Sequence, residues 1–228
     1  MIRVHVICEG QTEEMFINEV LSDWFNPRGI YLFPSLIGKP GHKGGNFRYQ
    51  RLLIDVRNRL LNDNTSYCTT FFDFYGLPTD FPGKQDAIAL TNSVDKAECL
   101  LNALSEELQT ELGSEALSRF IPYVQMYEFE GLLFSDTQAL ATGLNKGNLA
   151  DRFNTIRSQF DTPEDINNSK ETAPSKRIVR HFPEYDKPVH GSLAAMEIGL
   201  EIIRNECSMF DAWVKKIEEL KPSEAVSQ

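Results

Sequence analysis

The first fourteen residues, MIRVHVICEGQTEE (residues 1–14), contain the pattern that decides the fold. Apolar side chains alternate with other types over residues 2–8, as a half-buried β-strand requires. Gly10 then permits a tight turn, and Thr12 can cap a helix that follows it. Glu9 therefore lies between the end of a strand and the start of a helix, which is where open α/β sheets bind ligands.

Strand and helix patterns alternate along the first half of the chain. Further strand-like runs cover residues 29–37, 67–74 and 120–125, and apolar residues at helical spacing mark helices near residues 15–26, 49–60 and 93–112. This alternation predicts an α/β fold, in which a mostly parallel, Rossmann-like sheet is flanked by helices on both faces.

The composition changes near residue 144. We predict an α/β core over residues 1–144. Residues 145–221 begin with a polar, turn-rich segment and end in a helical C-terminal extension, with helices near residues 193–205 and 209–220. Residues 222–228 are predicted to be a disordered tail.

The distribution of charge limits the classes of partner. A formal net charge of -10 argues against a protein that simply coats nucleic acid. Residues 39–59, however, carry six Lys or Arg side chains against Asp55 alone. The candidate phosphate-binding residues in this basic stretch are Lys39, Lys43, Arg48 and Arg51.

A glycine-rich loop precedes the helix predicted at residues 49–60. Residues 38–46 combine four glycines with two lysines, a composition that suits a backbone cradle for phosphate. A plain surface loop explains the same residues equally well. No Walker A pattern is present, so the sequence gives no sign of an ATPase site of its own.

The cysteines and the hydropathy pattern favour a cytoplasmic protein. The four cysteines are widely separated and form no C-x-x-C pair, which indicates isolated thiols rather than a zinc cluster. No stretch approaches the roughly 18 apolar residues of a membrane span, so no membrane partner is expected. The chain begins with a strand rather than with a signal peptide.

Acidic residues occur where the predicted strands end. Glu9 follows the first strand, Asp73 ends the third, and Glu128 and Glu130 follow the fourth. Carboxylates that converge at strand ends can bind a hard divalent cation such as Mg²⁺ or Mn²⁺, which prefers oxygen ligands. Each acid taken alone is more typical of a solvated loop or a helix cap, and only their joint placement at strand ends favours a metal site.

A second basic stretch lies in the polar segment. In the sequence APSKR (residues 173–177), Lys176 could stabilise the charge that develops on a phosphate, with Arg177 beside it. An ordinary turn that enters a helix is the alternative interpretation.

Several motifs taken together resemble one known superfamily. They are CEGQTE (residues 8–13), FFDFYGLP (71–78), YEFEGLLF (127–134), APSKR (173–177) and HGSL (190–193). The combination resembles the Toprim domain of topoisomerases, primases and OLD-family nucleases, and more closely a bacterial branch related to RloB-type proteins.

This resemblance implies metal-dependent phosphodiester chemistry on a Toprim-like core. It implies that Glu9 is a general acid or base, or a metal-linked carboxylate, and that Asp73 is a Mg²⁺ ligand. Tyr75 stands where the superfamily has a second aspartate, and our hypothesis is that Glu128 or Glu130 replaces it. Relatives of this kind are associated with AAA or ABC-type ATPases in anti-phage defence.

Three functions are therefore predicted in order of preference. The first is a nuclease that acts on DNA or RNA as an effector of a defence system together with an ATPase. The second is a non-catalytic Toprim-like module that docks on an ATPase, which Tyr75 favours. The third is a hydrolase of a small phosphorylated nucleotide, which the Gly-Lys loop favours. The substrate stays open, as does whether the protein forms a homo-oligomer.

Overall fold

The structure is a computed structural model that describes residues 1–37, 48–167 and 169–222. Five strands form its sheet in the order β2-β1-β3-β4, and the short β5 also pairs with β3. Each of these pairings is parallel. The strands are β1 (Ile2–Cys8), β2 (Ile30–Leu36), β3 (Tyr67–Asp73), β4 (Phe120–Ile121) and β5 (Val124–Gln125).

Helices follow or separate the strands along the chain. Those that precede β4 are α1 (Gln11–Phe16), α2 (Ser22–Phe25), α3 (Tyr49–Asn62), α4 (Lys84–Ala89), α5 (Ser93–Leu112) and α6 (Ser114–Leu117). Those that follow β5 are α7 (Glu130–Leu133), α8 (Thr137–Gly143), α9 (Ala150–Arg157), α10 (Pro174–His181), α11 (Lys187–Ile198), α12 (Leu200–Glu206) and α13 (Ser208–Glu218). A π-helical turn, Ile17–Leu21, joins α1 to α2.

The sheet is covered on both faces, as the alternating pattern predicted. Val6 and Phe71 belong to an apolar cluster that includes residues of α1, α8 and α13. Ile7 and Phe72 point the other way and belong to a second cluster, which includes residues of α3 and α5. The α/β prediction with a mostly parallel sheet is therefore confirmed.

The fourth predicted strand is interrupted. Residues 120–125 form two short strands, β4 and β5, because Pro122 has no N–H to donate to a ladder. At the break, the side chain of Thr70 forms hydrogen bonds to the backbone in place of the strand ladder. Its hydroxyl lies 2.7 Å from the carbonyl oxygen of Tyr123, to which it donates, and 2.9 Å from the Tyr123 amide nitrogen, from which it accepts.

The C-terminal half contains more helix than the sequence predicted. The polar segment holds α9 and α10, and the helix expected at residues 193–205 instead begins at Lys187. It ends before Gly199, whose φ of 81° stops the helix and separates α11 from α12. The predicted bounds of this helix are wrong because its start signal, described below, lies six residues earlier.

The proposed division of the chain stays a prediction. Phe153 and Phe210, from beyond residue 144, lie in the same apolar cluster as Val6 of β1. Of the predicted tail, residues 223–228 lie outside the described residues. In the described part of the chain, no helix is both long enough and apolar enough to cross a membrane.

The strand order places a crevice at one position in the sheet. β1 lies between β2 and β3, so successive connections leave β1 towards opposite edges. In doubly wound sheets, ligands bind at this switch point, beside the carboxyl ends of the two central strands. Here the switch point lies between β1 and β3, which end next to Glu9 and at Asp73.

Candidate functional site

Glu9 and Asp73 are joined directly at the switch point. The amide N–H of Asp73 donates a hydrogen bond of 3.1 Å to Oε2 of Glu9. The Glu9 carboxylate also lies against the backbone of Gly76, since a Cβ built on Gly76 would stand 2.1 Å from both of its oxygens. Gly76 therefore has to be glycine for Glu9 to hold this position.

Asp73 is also bonded to the segments that follow the strands. Its Oδ1 accepts a 2.7 Å hydrogen bond from the backbone N–H of Phe129, and its Oδ2 accepts a 2.9 Å bond from the Lys187 ammonium group. The same ammonium group lies 3.1 Å from Oε2 of Glu130. Lys187, at the start of α11, thus bridges the end of β3 and the start of α7.

Glu130 is fully enclosed. None of its surface is exposed, and its Oε1 lies 3.4 Å from the Tyr185 hydroxyl, which donates to it. Its Oε2 makes no hydrogen bond with the required geometry among the described residues, although the Lys187 ion pair faces it. Glu130 is therefore a buried carboxylate with acceptor capacity to spare.

Glu13 is a further buried acid beside this group. Its Oε2 accepts a 2.8 Å bond from the backbone N–H of Gly10, which closes the turn at the start of α1. The residue is 3% exposed and was not among the candidate site residues predicted from the sequence.

These acids raise one another's pKa. Burial, and then the charge of Asp73, raises the pKa of Glu9 to about 7 and that of Glu13 to about 8. Burial raises the pKa of Glu130 to about 8, and Lys187 offsets part of this effect. The pKa of Asp73 is also raised, chiefly by burial.

The pKa of Lys187 is also raised, but by the neighbouring carboxylates and against the effect of burial. Burial alone would lower its pKa, but Asp73 and Glu130 raise the pKa well above the usual value for lysine. One ammonium group therefore faces several carboxyl groups, and if all of them were ionised their charge would exceed what Lys187 can neutralise. Such a site attracts either protons or a further cation.

The acidic motif at residues 127–134 and the basic motif at residues 173–177 meet at the start of α10. Oε2 of Glu128 accepts a 2.8 Å hydrogen bond from the backbone N–H of Ser175. Lys176, the next residue, is exposed. Arg177 turns inward: its Nε donates a 2.7 Å bond to the Thr172 carbonyl oxygen, and its guanidinium lies 5.2 Å from the centre of the Phe160 ring.

The basic stretch contributes exposed side chains on α3 and just before it. Arg48 and Arg51 are exposed, while Arg59 is engaged with the Asp55 carboxylate and the Ser35 hydroxyl. Lys39 and Lys43 lie outside the described residues. The structure thus brings together Glu9, Asp73 and Glu130, links Glu128 to the Lys176 segment, and gives Arg177 internal partners.

The residues fit a hard divalent cation by their chemistry. All of the donors are carboxyl oxygens, the ligand type that such a cation prefers, and a bound cation would offset the burial cost that raises their pKa values. In the described part of the chain, however, no group of three or more His, Cys, Asp or Glu side chains is arranged to hold a metal ion. Lys187 pairs with Asp73 and Glu130, so Asp73 would have to release this ion pair to bind a cation together with Glu9, which makes no ion pair among the described residues.

Sequence reasoning missed Lys187, and a signal for it was present. Asp186 caps α11 by accepting a 3.1 Å bond from the Val189 N–H, and Pro188 lies in the first turn. An Asp followed at once by Lys-Pro is a recognisable helix start, which would have placed Lys187 on a helix instead of in a loop.

Comparison with known proteins identifies a family and gives no further relative. Searches among curated proteins and among solved structures find no match. A family model described as a domain of unknown function, DUF4276, matches residues 8–218. This match includes every candidate site residue from Glu9 to Lys187. The chain therefore belongs to the DUF4276 family.

Proposed function

We propose that this protein is a metal-dependent nuclease that hydrolyses phosphodiester bonds of DNA or RNA. The observation that carries the proposal is the hydrogen bond from the backbone N–H of Asp73 to the Glu9 carboxylate, which holds two acidic residues together at the switch point between β1 and β3. The further buried acids beside this pair, Glu13 and Glu130, and its resemblance to the acidic site of Toprim domains support the same reaction.

Glu9 and Asp73 would hold Mg²⁺ or Mn²⁺, which would supply polarisation of the phosphoryl oxygen and an activated water. Glu9 has a second role of its own. Because its pKa is raised to about 7, it can take up and release a proton near neutral pH, as a general acid–base group must. Lys187 holds Asp73 in place through the 2.9 Å ion pair.

Exposed basic side chains would contact the phosphate backbone of the nucleic acid. Lys176 is exposed one residue beyond the Glu128–Ser175 contact, and Arg48 and Arg51 are exposed at α3. Lys39 and Lys43 are proposed for the same surface. The net charge of -10 makes strong unaided binding unfavourable, so a partner ATPase in an anti-phage defence system supplies part of the affinity.

Cleavage assays test the proposal. The purified protein is incubated with plasmid, single-stranded DNA and tRNA in Mg²⁺ or Mn²⁺, alone and with an ATPase encoded beside it. We expect cleavage by the wild type, and a loss of about 100-fold or more in Glu9→Gln and Asp73→Asn, as for other essential electrostatic groups.

Asp136→Asn is the matched control. Asp136 caps α8 through 2.9 Å bonds from the N–H groups of Gln138 and Ala139, and Asn can replace it as a cap. This variant removes one carboxylate outside the site and should cleave like the wild type. Cleavage that persists unchanged in both site variants would refute the assignment.

A non-catalytic binding module is the second candidate. It is favoured by Lys187, which already neutralises part of the charge on Asp73 and Glu130, and by Tyr75 in the place of an acid. In this case the protein would bind a partner ATPase without cutting nucleic acid. Co-purification with that ATPase, together with no cleavage under any condition above, would favour this candidate.

A further inference from the structure

A cavity distinct from the acidic site borders the turn that follows Asp73. It measures about 270 Å³, and its walls include three aromatic rings and three lysines: Phe74, Tyr75, Tyr127, Lys84, Lys96 and Lys170. Tyr75 and Leu77 line this cavity and flank Gly76, against which the Glu9 carboxylate lies. The cavity is therefore adjacent to the candidate catalytic site and separate from its acids.

Lys84 is the unusual group in this cavity. It is 5% exposed, its ammonium group donates to the Phe74 carbonyl oxygen, and it lies 3.3 Å from the centre of the Phe74 ring. Among the described residues, no Asp or Glu lies within ion-pair distance of Lys84, Lys96 or Lys170. Since an ammonium group has three donors, Lys84 retains donors for an anion.

The positive charges of the cavity also act on one another. Burial, and then the charge of Lys170, lowers the pKa of Lys84 to about 7, and Lys96 adds to this effect. A bound anion would relieve both the burial cost and the repulsion. The lysines thus form a site with unused capacity for negative charge.

Backbone contacts hold the rings of Tyr75 and Tyr127 in the wall of the cavity. The rings of Tyr75 and Tyr127 lie 5.6 Å apart, and the Tyr75 N–H donates a 3.1 Å bond to the Tyr127 carbonyl oxygen. Tyr127 has a φ of 62°, a left-handed conformation that costs a bulky residue about 1–3 kcal/mol. The Tyr75 hydroxyl donates to Asn167, which orients the ring.

Lysine and tyrosine side chains together match the chemistry of a nucleotide. A nucleobase stacks on an aromatic face, and a phosphate pairs with ammonium groups. The cavity volume of about 270 Å³ is slightly below the range of small-ligand sites, which starts at about 300 Å³. It therefore suits one nucleotide rather than a duplex.

We propose that this cavity binds a single nucleotide, with its base against Tyr75 and Tyr127 and its phosphate at Lys84 and Lys170. The choice of a nucleic-acid strand as its source rests on the proposed function, since a strand bound here would pass beside Glu9. The chemistry that is recognised, a base joined to a phosphate, is the same in a free nucleotide and in a single strand.

Binding measured without catalysis tests the proposal. Calorimetric titrations in EDTA use four probes: adenosine monophosphate, uridine monophosphate, ribose 5-phosphate and a short single-stranded oligonucleotide. We expect a nucleotide or the oligonucleotide to bind more tightly than ribose 5-phosphate. Binding of the free nucleotides identifies a soluble nucleotide as sufficient, and binding of the oligonucleotide alone identifies the strand as the source.

Two variants separate the base contact from the phosphate contact. Tyr75→Leu should weaken binding of the preferred probe roughly 5-fold to 100-fold, which is the range for loss of one stacked base. Lys170→Ala, at an exposed position, should reduce the salt dependence of oligonucleotide binding by roughly 0.7 in the log–log slope. Lys216→Ala, in a different cavity lined by Trp213, is the control and should change neither.

The outcomes distinguish this proposal from the nuclease. If ribose 5-phosphate binds as tightly as the nucleotides and Tyr75→Leu changes nothing, the base site is refuted. If no probe binds, the cavity proposal is refuted whether or not the protein cleaves nucleic acid. Binding that depends on Tyr75 and Lys170 in a protein without cleavage would keep the cavity proposal and remove the nuclease. Thermal unfolding of each variant checks that it folds.

Discussion

At the scale of single residues, the site depends on a contact that only glycine permits. Gly76 leaves room for the Glu9 carboxylate, which in turn accepts the Asp73 N–H. The sequence pointed to Glu9 and Asp73 from their places at strand ends. It gave no reason to connect either with Gly76, because that contact exists only once β3 and the turn after it lie beside β1.

Gly76→Ala tests this contact. The added methyl group would displace the Glu9 carboxylate, so we expect cleavage to fall as far as it does in Glu9→Gln. The free energy of unfolding should fall by about 1–2 kcal/mol through the lost hydrogen bond and packing. In a Glu9→Ala background, adding Gly76→Ala should cost little further stability. An equal loss of stability in both backgrounds would show that the methyl group clashes elsewhere.

Lys187→Met tests the balance of charge in the site. Removing the ammonium group leaves Asp73 and Glu130 unpaired, which for a buried pair costs about 3–5 kcal/mol. The Lys187 side chain is 35% exposed, so we expect a smaller loss of about 1–3 kcal/mol. The loss should be larger at about pH 8 than at about pH 5.5, where protons replace the missing cation. Denaturant unfolding at both pH values measures the loss of unfolding free energy. A loss that does not depend on pH would contradict the proposed pairing of Lys187 with ionised Asp73 and Glu130.

At the scale of elements, the regular strands and long helices were predictable, and the interruptions were not. The bounds of α5 (Ser93–Leu112) match the prediction because its apolar residues keep one period over five turns. The break between β4 and β5 depends on Thr70, a residue on another strand. The early start of α11 depended on a short capping signal at Asp186, which apolar periodicity does not detect.

Thr70→Val tests how the break between β4 and β5 is held. Valine matches threonine in shape but cannot accept from or donate to the Tyr123 backbone, which leaves two buried polar groups without partners. Each such group costs about 1–3 kcal/mol, so the free energy of unfolding should fall by at least about 2 kcal/mol. Thr142→Val, at an exposed helical position, is the control and should change stability by less than about 0.5 kcal/mol. Equal effects of the two substitutions would show that Thr70 does not hold the break.

At the scale of the whole molecule, the raised acids predict a dependence of stability on pH. Their pKa values in the folded protein, about 7 to 8, exceed the ordinary value, so the folded protein binds more protons between about pH 4.5 and 8. These acids should therefore make stability fall as the pH rises through this range, and Lys84, whose pKa is lowered to about 7, opposes part of the fall above about pH 7. The acids concerned are Glu9, Glu13, Glu130 and Glu164. The carboxylate of Glu164, in the turn Pro163–Asp165, accepts from the N–H groups of Met209 and Phe210 at the start of α13, and burial raises its pKa to about 7.

Thermal unfolding across this range checks the prediction. The melting temperature should be several degrees higher at about pH 5.5 than at about pH 8, since about 1 kcal/mol corresponds to roughly 2–4 °C in a chain of this size. Glu130→Gln should flatten the curve. Three ion-paired acids, Asp63, Asp211 and Glu218, have lowered pKa values and should make stability fall again at lower pH. A curve that rises from about pH 5.5 to 8 would contradict the buried acid cluster.

Whether the acids at the ends of β1 and β3 bind a divalent cation is the question on which the proposed nuclease depends. Calorimetric titration with Mn²⁺ at about pH 8, where these acids are most ionised, answers it directly. We predict saturable binding to the wild type, loss of that binding in Glu9→Gln and Asp73→Asn, and no change in Asp136→Asn. Absence of binding to the wild type, or binding that both site variants retain, would contradict the metal site.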